Sequence, residues 1–487
     1  MGKPGSFSGG LVLEGYKQPT EIITSTIPAE LIYPLLQRSD SYVQPIVKQG
    51  DYVLKGQLIA SSDQPFVTSV HAASSGFIKE ISPRLIAHPS GLADSCIVIA
   101  TDGLDKAVPA EPCENYQLEA AEDLCARIHQ AGIAGLGGAV FPTADKLRAT
   151  DIHTLIINGA ECEPYISCDE SLMQAYAQQI IQGTLMVQYI LQAKHCIIAL
   201  EENMLIAFQV LKKALEGKNI QLIAVPEIYP TGGEKQLIQV LTGCKIPAQS
   251  RPSEYGIICQ NIATAYAVYQ AIEQGIPLTE RIITLTGKGI SQVNNIRAKI
   301  GTPIQHLIEQ CGGYRQNARQ LIMGGSMMGI ALSSDEVAVT KASNCLLVMT
   351  ADDKISKPAA MPCIRCGDCA RVCPVELLPQ QLYWYGRSQQ LQQCMDYRLF
   401  DCIECGCCDI VCPSQLPLVQ IFRATKAEHI IKQKQAEQAN QAKSRFQSRQ
   451  QRLAQTEQEK LLKAEKRKAA IEKMKAAAAK RKNQSLN

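Results

Sequence analysis

Hydrophobic and polar positions along this chain change period several times, and each change marks an element. Over residues 41–81, SYVQPIVKQGDYVLKGQLIASSDQPFVTSVHAASSGFIKEI, apolar and polar residues alternate between glycines, as from Val47 through Gly50, Asp51, Val53 and Gly56 to Gln57. Period two with glycine turns predicts short strands, and residues 69–78 supply a second half of the same kind. The period then lengthens: residues 118–131 read as an amphipathic helix and HTLIING (153–159) as a buried strand. HCIIALEEN (195–203), a helix over 207–215, a strand over 221–225 and a helix opened by Asn261 continue an α/β alternation. RIITLTGKGISQVNNIRAKIGTPIQHLIEQCGG (281–313) goes strand, strand, helix, and IMGGSMMGIAL and NCLLVMT add strands, the content of a small β-grasp unit. Residues 374–401 are helical in pattern. From residue 418 to 487 neither Gly nor Pro occurs, and Ala, Gln, Lys and Glu dominate, which fits a long exposed helix or a partly disordered segment.

At 487 residues and 46% hydrophobic, the chain can bury several cores, and length alone suggests about three domains. The net charge of +3 hides an asymmetry: residues 426–487 hold 17 Lys and Arg against 6 Asp and Glu, and the rest holds 32 against 40. An acidic body therefore carries a basic tail. Beside anionic lipid each Lys or Arg gains about 1 kcal/mol, but a solvated charged helix is the commoner case. Without interleaved aromatics a basic helix is poor evidence for nucleic acid, and none is expected as a partner. The first sixteen residues hold one basic residue and no apolar core of signal length, and no run of eighteen apolar residues occurs. Membrane attachment is expected through a partner or the surface.

Cysteine changes the picture most. Of twenty Cys, eight form two copies of one run. CIRCGDCARVCP places Cys363, Cys366, Cys369 and Cys373 at C-x2-C-x2-C-x3-C-P; CIECGCCDIVCP repeats the spacing with Cys402, Cys405, Cys408 and Cys412, leaving Cys407 out of register. A tight loop turns three thiolates onto one cubane cluster, and in two-cluster ferredoxins the fourth Cys of each run ligates the other cluster. Cys363, Cys366 and Cys369 thus pair with Cys412, and Cys402, Cys405 and Cys408 with Cys373, giving two 4Fe-4S clusters. Zinc knuckles or a disulfide lattice rarely use this run, and do not need it twice. The 28 residues between Cys373 and Cys402 exceed a compact hairpin, so an α-helical ferredoxin module is expected. Thiolates free to bind iron point to a reducing compartment, the cytoplasm.

A second candidate site gathers around glycines. In GIAGLGGAVFPTADKL (132–147) a helix precedes the glycines, so the Rossmann dinucleotide fingerprint is absent. Gly135, Gly137 and Gly138 still offer backbone N–H groups to a phosphate or flavin, with Lys146 as counter-charge, although a bare turn reads equally well. NGAECEP places Asn158, Glu161 and Glu163 at a strand end, where open α/β sheets bind ligands. IYPTGGEKQLIQVLTG (228–243) repeats the theme of paired glycines, acid and helix start, with Glu234 as the acid. MGGSMMG (323–329) reads as a tight core turn in preference to a partner or cofactor contact, and His71 as a loop or core histidine in preference to a ligand.

Residues 47–78 resemble the barrel-sandwich hybrid of biotinyl and lipoyl carrier domains, without the Lys–Met tip that those domains modify. GLGGAVFPTADKL, INGAECEPY, YPTGGEKQL and CQNIATAYAV, in this order, resemble the nucleotide-site segments of the flavin-bearing, NADH-oxidising subunit of respiratory complex I. With the carrier-like region before them and the doubled cysteine run after, the chain resembles, over about residues 28–421, the C-subunit family of Rnf (Rsx) ion-translocating electron transport complexes. The resemblance implies FMN at Gly135, Gly137, Gly138, Lys146, Asn158 and Asn261, and Glu161, Glu163 and Glu234 where NADH or the isoalloxazine edge is contacted. It departs at Gly233, where the complex I family has a second acid, and at Gln260, the first of an Asn pair there. The expected fold is multidomain α/β and α+β: a barrel-sandwich hybrid (28–110), a Rossmann-like FMN/NADH domain (115–278), a soluble-ligand-binding β-grasp domain (279–350), an α-helical two-cluster ferredoxin domain (355–425) and a basic helical or disordered tail (426–487).

The implied function is that of a translocase-type oxidoreductase subunit, peripheral on the cytoplasmic face of a bacterial inner membrane. NADH, as donor or acceptor, exchanges two electrons with FMN, which passes them singly to the clusters. Other Rnf-type subunits would couple flow between NADH and ferredoxin to ion movement. No side chain need act as acid or nucleophile. Two other classes compete: a two-cluster docking adaptor without nucleotide, and a soluble NADH-dependent iron–sulfur flavoprotein acting alone.

Overall fold

The computed structural model describes residues 5–38, 41–247, 249–353 and 359–484, with side chains to residue 478. The domain edge expected at residue 355 and the last residues of the tail lie outside them. The alternating region forms an antiparallel sheet in the order Glu30–Pro34, Ala93–Thr101, Gly76–Leu85, Tyr52–Val53, faced by a smaller sheet of Gln44–Pro45, Leu58–Ser61 and Val70–His71. Inward residues such as Leu31, Val53, Ile59 and Ile78 are buried, as period two requires. His71 belongs to this core: burial pulls its pKa down to about 3.

The α/β region is a four-stranded parallel sheet in the order Gln221–Val225, His195–Glu201, Thr154–Gly159, Ile257–Asn261. Its strands are nearly continuous apolar runs because both faces are covered. Ile156, Ile197 and Val225 pack on the helix Glu234–Thr242, while Leu155, Ile157 and Ile198 pack on the helices Cys168–Leu191 and Ile262–Glu273. Strand ends and helix starts converge at one rim, where open parallel sheets place ligands.

The third sheet has six strands, in the order Ile22–Thr24, Asn294–Lys299, Glu280–Thr286, Cys345–Thr350, Ala318–Met323, Ile330–Leu332. Its first strand comes from the N-terminus, and Ile22 pairs in parallel with Asn295. The residues before it form a strap across three units. Gly5 N–H donates to the Val240 carbonyl, Leu11 exchanges backbone bonds with Tyr229, Gly10 N–H donates to the Val372 carbonyl, and Tyr16 N–H to that of Pro164. The pattern of the sequence carries no sign of this strap.

The cysteine-rich unit buries Leu377, Leu382, Tyr383, Leu399 and Phe422 together with four of its cysteines. Its spacer forms the helices Pro379–Arg387 and Leu391–Asp396, as the pattern predicts. The tail is a helix, Leu418–Gln484, of 67 residues, about 100 Å long at 1.5 Å per residue. Leu418 and Phe422 anchor it, and from residue 432 to 478 every side chain is exposed.

Candidate functional site

At the rim of the parallel sheet lies a cavity of about 520 Å³, within the range of small-molecule sites. Eight of the nine residues expected to hold nucleotide line it: Gly135, Gly137, Lys146, Asn158, Glu161, Glu163, Glu234 and Asn261; Gly138 does not. Lys146 stands on the short helix Thr143–Leu147 and donates to Glu234 and to the Cys259 carbonyl, both at 2.6 Å. Asn158 ends its strand and donates to the Gly232 carbonyl at 2.9 Å, which ties the second glycine loop to the first strand. Asn261 caps the helix Ile262–Glu273, accepting from Ala263 N–H at 2.9 Å, and its Nδ2 donates to Asp169 at 2.7 Å.

The two acids of NGAECEP have different surroundings. Glu161 is buried at the start of the helix Cys168–Leu191 and accepts from the backbone N–H groups of Asp169 (3.0 Å) and Glu170 (3.3 Å). Burial and the neighbouring Asp169 nevertheless push its pKa up to about 8. Glu163 accepts from Met327 N–H at 3.1 Å and Met328 N–H at 2.9 Å. The MGGSMMG loop is therefore no self-contained core turn, contrary to the sequence expectation: it is a junction fastened to the cavity by Glu163, with Met328 half-exposed at the cavity wall. Glycine at 325 leaves room for this contact, because an added Cβ would overlap the Glu163 carboxylate and displace it.

The two cysteine runs are conformational copies 39 residues apart. Arg365 and Glu404 have φ of 60° and 59°, Gly367 and Gly406 of 83° and 81°, and Glu376 and Gln415 of 54° and 51°. Each loop turns through these left-handed positions into a single helical turn, Asp368–Arg371 and Cys407–Ile410. Burial raises the Cys369 and Cys373 thiols, and Cys366 and Cys412 lie near enough to Cys369, and Cys405 to Cys373, to add to it. The loops differ in setting. Cys366 is exposed, whereas Cys405 and Cys408 are buried. Ile403, inside the second loop, lines the cavity, and Tyr229 of the second glycine loop donates its hydroxyl to the Cys405 carbonyl at 2.7 Å.

A model of the Nuo51 FMN-binding domain matches residues 128–270, the RnfC barrel sandwich hybrid domain 5–104, the SLBB domain 282–331 and a 4Fe-4S dicluster domain 362–416. Among curated proteins, the chain is 46% identical over 456 residues to the C subunit of the ion-translocating oxidoreductase complex of Yersinia enterocolitica, covering 92% of this chain and 65% of that one. The protein of the same name in Serratia proteamaculans is 44% identical over 454 residues, covering 93% and 64%. Over the matched residues the chain is similar to these C subunits. It spans between half and two thirds of the length of the relatives it matches. A crystal structure of NAD+-reducing NiFe hydrogenase in the H2-reduced state aligns with a TM-score of 0.41 at 16% identity, over 57% of this chain and 52% of that one.

The family's groups fit the residues present. Gln260 Nε2 is a buried donor without a partner at the cavity wall, the kind of atom that a bound flavin would satisfy. The eight motif cysteines sit on paired loops, and their donor set suits iron–sulfur clusters. Sequence reasoning missed Asp169, Gln260, Tyr229, Met328 and Lys17, the last a buried residue of the strap paired with Glu201 at 2.6 Å. Only Gln260 carried a signal, as a departure from the related family's Asn. Among the described residues no helix is long and apolar enough to cross a membrane.

Proposed function

We propose that this chain is the peripheral electron-input subunit of a membrane-bound complex that couples electron transfer between NADH and ferredoxin to ion translocation. Bound FMN supplies the exchange between a two-electron hydride and single electrons. The chain's residues bind and orient. Lys146 and the N–H groups around Gly135, Gly137 and Gly138 suit a phosphate; Asn158, Asn261 and Gln260 suit the ring; Glu161, Glu163 and Glu234 border the space open to a nicotinamide. Cys402, Cys405, Cys408 and Cys373 would hold one cluster, and Cys363, Cys366, Cys369 and Cys412 the other, an assignment supported by the proximity of Cys369 to Cys412 and of Cys373 to Cys405.

The observation that carries this reading is the meeting of the cavity and the second cysteine loop at Ile403 and Tyr229. It supports a relay from flavin to the Cys402 cluster, then to the Cys363 cluster, whose exposed loop faces outward to further subunits. The sheet orders support a Rossmann-like reading of residues 115–278 and a β-grasp reading of 279–350, between the barrel-sandwich hybrid at 28–110 and the ferredoxin unit and tail at 355–425 and 426–487. The basic tail suits a peripheral place beside anionic lipid on the cytoplasmic face. The test is absorbance and EPR on purified, cluster-reconstituted protein with FMN. NADH should bleach the flavin and reduce two clusters. Protein that binds no FMN and whose absorbance NADH fails to bleach would leave the adaptor reading.

A further inference from the structure

Two acids at the cavity floor stand close enough together to act as one group. Glu161, Cys168 and Asp169 bring a carboxylate oxygen, a sulfur and a carboxylate oxygen within 4.8 Å of one another. Glu161 is buried, and Asp169 is enclosed by the fold but open to the cavity that both acids line. Two carboxylates this close and shielded from water do not both ionise at neutral pH; one keeps a proton.

The surrounding charges do not reverse this. From the strap, Lys17 faces Glu161, but its ammonium is held by Glu201 and by the Glu161 backbone carbonyl. From the strand Glu280–Thr286, Arg281 faces Asp169 and Cys168, and gives N–H groups to the carbonyls of Lys341 and Leu136. The helix Cys168–Leu191 adds Glu170, the strand His195–Glu201 adds Glu201, and Cys162 and Cys345 approach from their own segments. Asn261 donates to Asp169. With Glu163, which also faces Lys17, five carboxylates thus share two cations, and burial raises the pKa of Glu161 and of Asp169 alike. The unpartnered Nε2 of Gln260 points independently to a ligand in the same cavity.

We propose that Glu161 and Asp169 share one proton and together form the proton acceptor and donor of the flavin cavity. The proposal rests on the NADH–FMN–cluster reading. A hydride brings two electrons and one proton into the cavity. When both electrons have left singly for the clusters, one proton remains. The pair takes up that proton as the one it already holds passes to water at the cavity mouth. It ends each turnover as it began, and NADH has yielded NAD+, two electrons and one released proton.

The test uses the full, cluster-reconstituted chain and the variants Glu161→Gln and Asp169→Asn, with the cluster EPR signal reporting the fold of each. Infrared spectra of flavin-free protein at neutral pH should contain a protonated carboxyl C=O band that shifts in D2O. The band should vanish in both variants, because the remaining acid, freed of its neighbour, ionises. In FMN-loaded protein each variant should slow cluster reduction by NADH on the order of a hundredfold at saturating FMN and NADH. Absence of the band from the wild type, or its survival in both variants, overturns the proposal while NADH still bleaches the flavin. Loss of FMN from both variants makes the acids binding residues and overturns it too. If the wild type holds the band but NADH reduces nothing, the functional reading falls and the relay with it. If one variant fails to fold, the other decides.

Discussion

Glu163 and Gly325 allow the junction between the cavity and the third sheet to be tested quantitatively. The carboxylate receives the Met327 and Met328 N–H groups at 3.1 and 2.9 Å. Hydrogen bonds to a charged group contribute about 1.5–3 kcal/mol each, but Met328 is half-exposed and its amide can turn to water. Glu163→Ala should therefore cost about 2 kcal/mol locally, which is about 30-fold in the exchange rate of these two amides at 1.4 kcal/mol per tenfold. Gly325→Ala should do the same for a different reason, since its Cβ overlaps the carboxylate and expels it. The decisive sample is the double variant. With the carboxylate gone the three atoms nearest the new Cβ are gone, and the bonds cannot be lost twice, so the double should exchange like Glu163→Ala alone, the signature of residues in contact. Hydrogen–deuterium exchange read at residues 324–329 is the assay. Multiplicative rates in the double variant, or a Gly325→Ala protein with native protection, would refute the reasoning.

Cys412→Ser should perturb the cluster assigned to Cys363, Cys366 and Cys369; an EPR loss confined to the Cys402 cluster would sink the crossed assignment. Lys146→Met should weaken FMN binding by at least about tenfold, seen as flavin released on dilution, because a charge-assisted phosphate contact is lost and Glu234 is left without its partner. Lys341 is buried and donates to the Ser69 and Gly132 carbonyls, and burial lowers its pKa to about 7. The unfolded chain, with an ordinary lysine, binds the extra proton up to about pH 10, so stability should rise between about pH 7 and 10. Melting temperatures of wild type minus Lys341→Met across that range should follow this slope; a flat difference would contradict it.

What could be read from the sequence divides by the range of the interactions. The cysteine loops were legible because their geometry is local: spacing fixes the turn, and the left-handed Gly367 and Gly406 sit inside the motif. The parallel strands were legible because burial on both faces writes continuous apolar runs such as HTLIING. The strap was not. Residues 5–24 have no period, and their partners lie far away, as Lys17 does from Glu201. The meaning of MGGSMMG was hidden for the same reason: Met and Gly in sequence suit a core turn, and only the long-range carboxylate of Glu163 makes the loop a junction. His71 reads as core in both views. At the cavity, the glycines and Lys146 stand out by type and do line it, whereas Asp169 looks like an ordinary acid in the first turn of a helix until Glu161 is folded beside it.

Duplication of the cysteine run also separates what the motif fixes from what its surroundings fix. The two loops share their turns to within a few degrees of φ, so any difference between the clusters they are assigned to hold must come from the side chains between the cysteines and from what packs on them. At the position following the left-handed glycine, the first loop has Asp368, paired with the exposed Arg371, and the second has the fully buried Cys407, packed with Tyr229 and Met327. One loop is thus wrapped by the flavin domain, the strap and the Met loop, while the other meets the strap at its end, Val372, and keeps Cys366 exposed. Burial alters the reduction potential of a cluster without any change in ligation. A symmetric motif in asymmetric surroundings can therefore give electron flow a direction, and the surroundings that supply it are the long-range contacts that the motif does not encode.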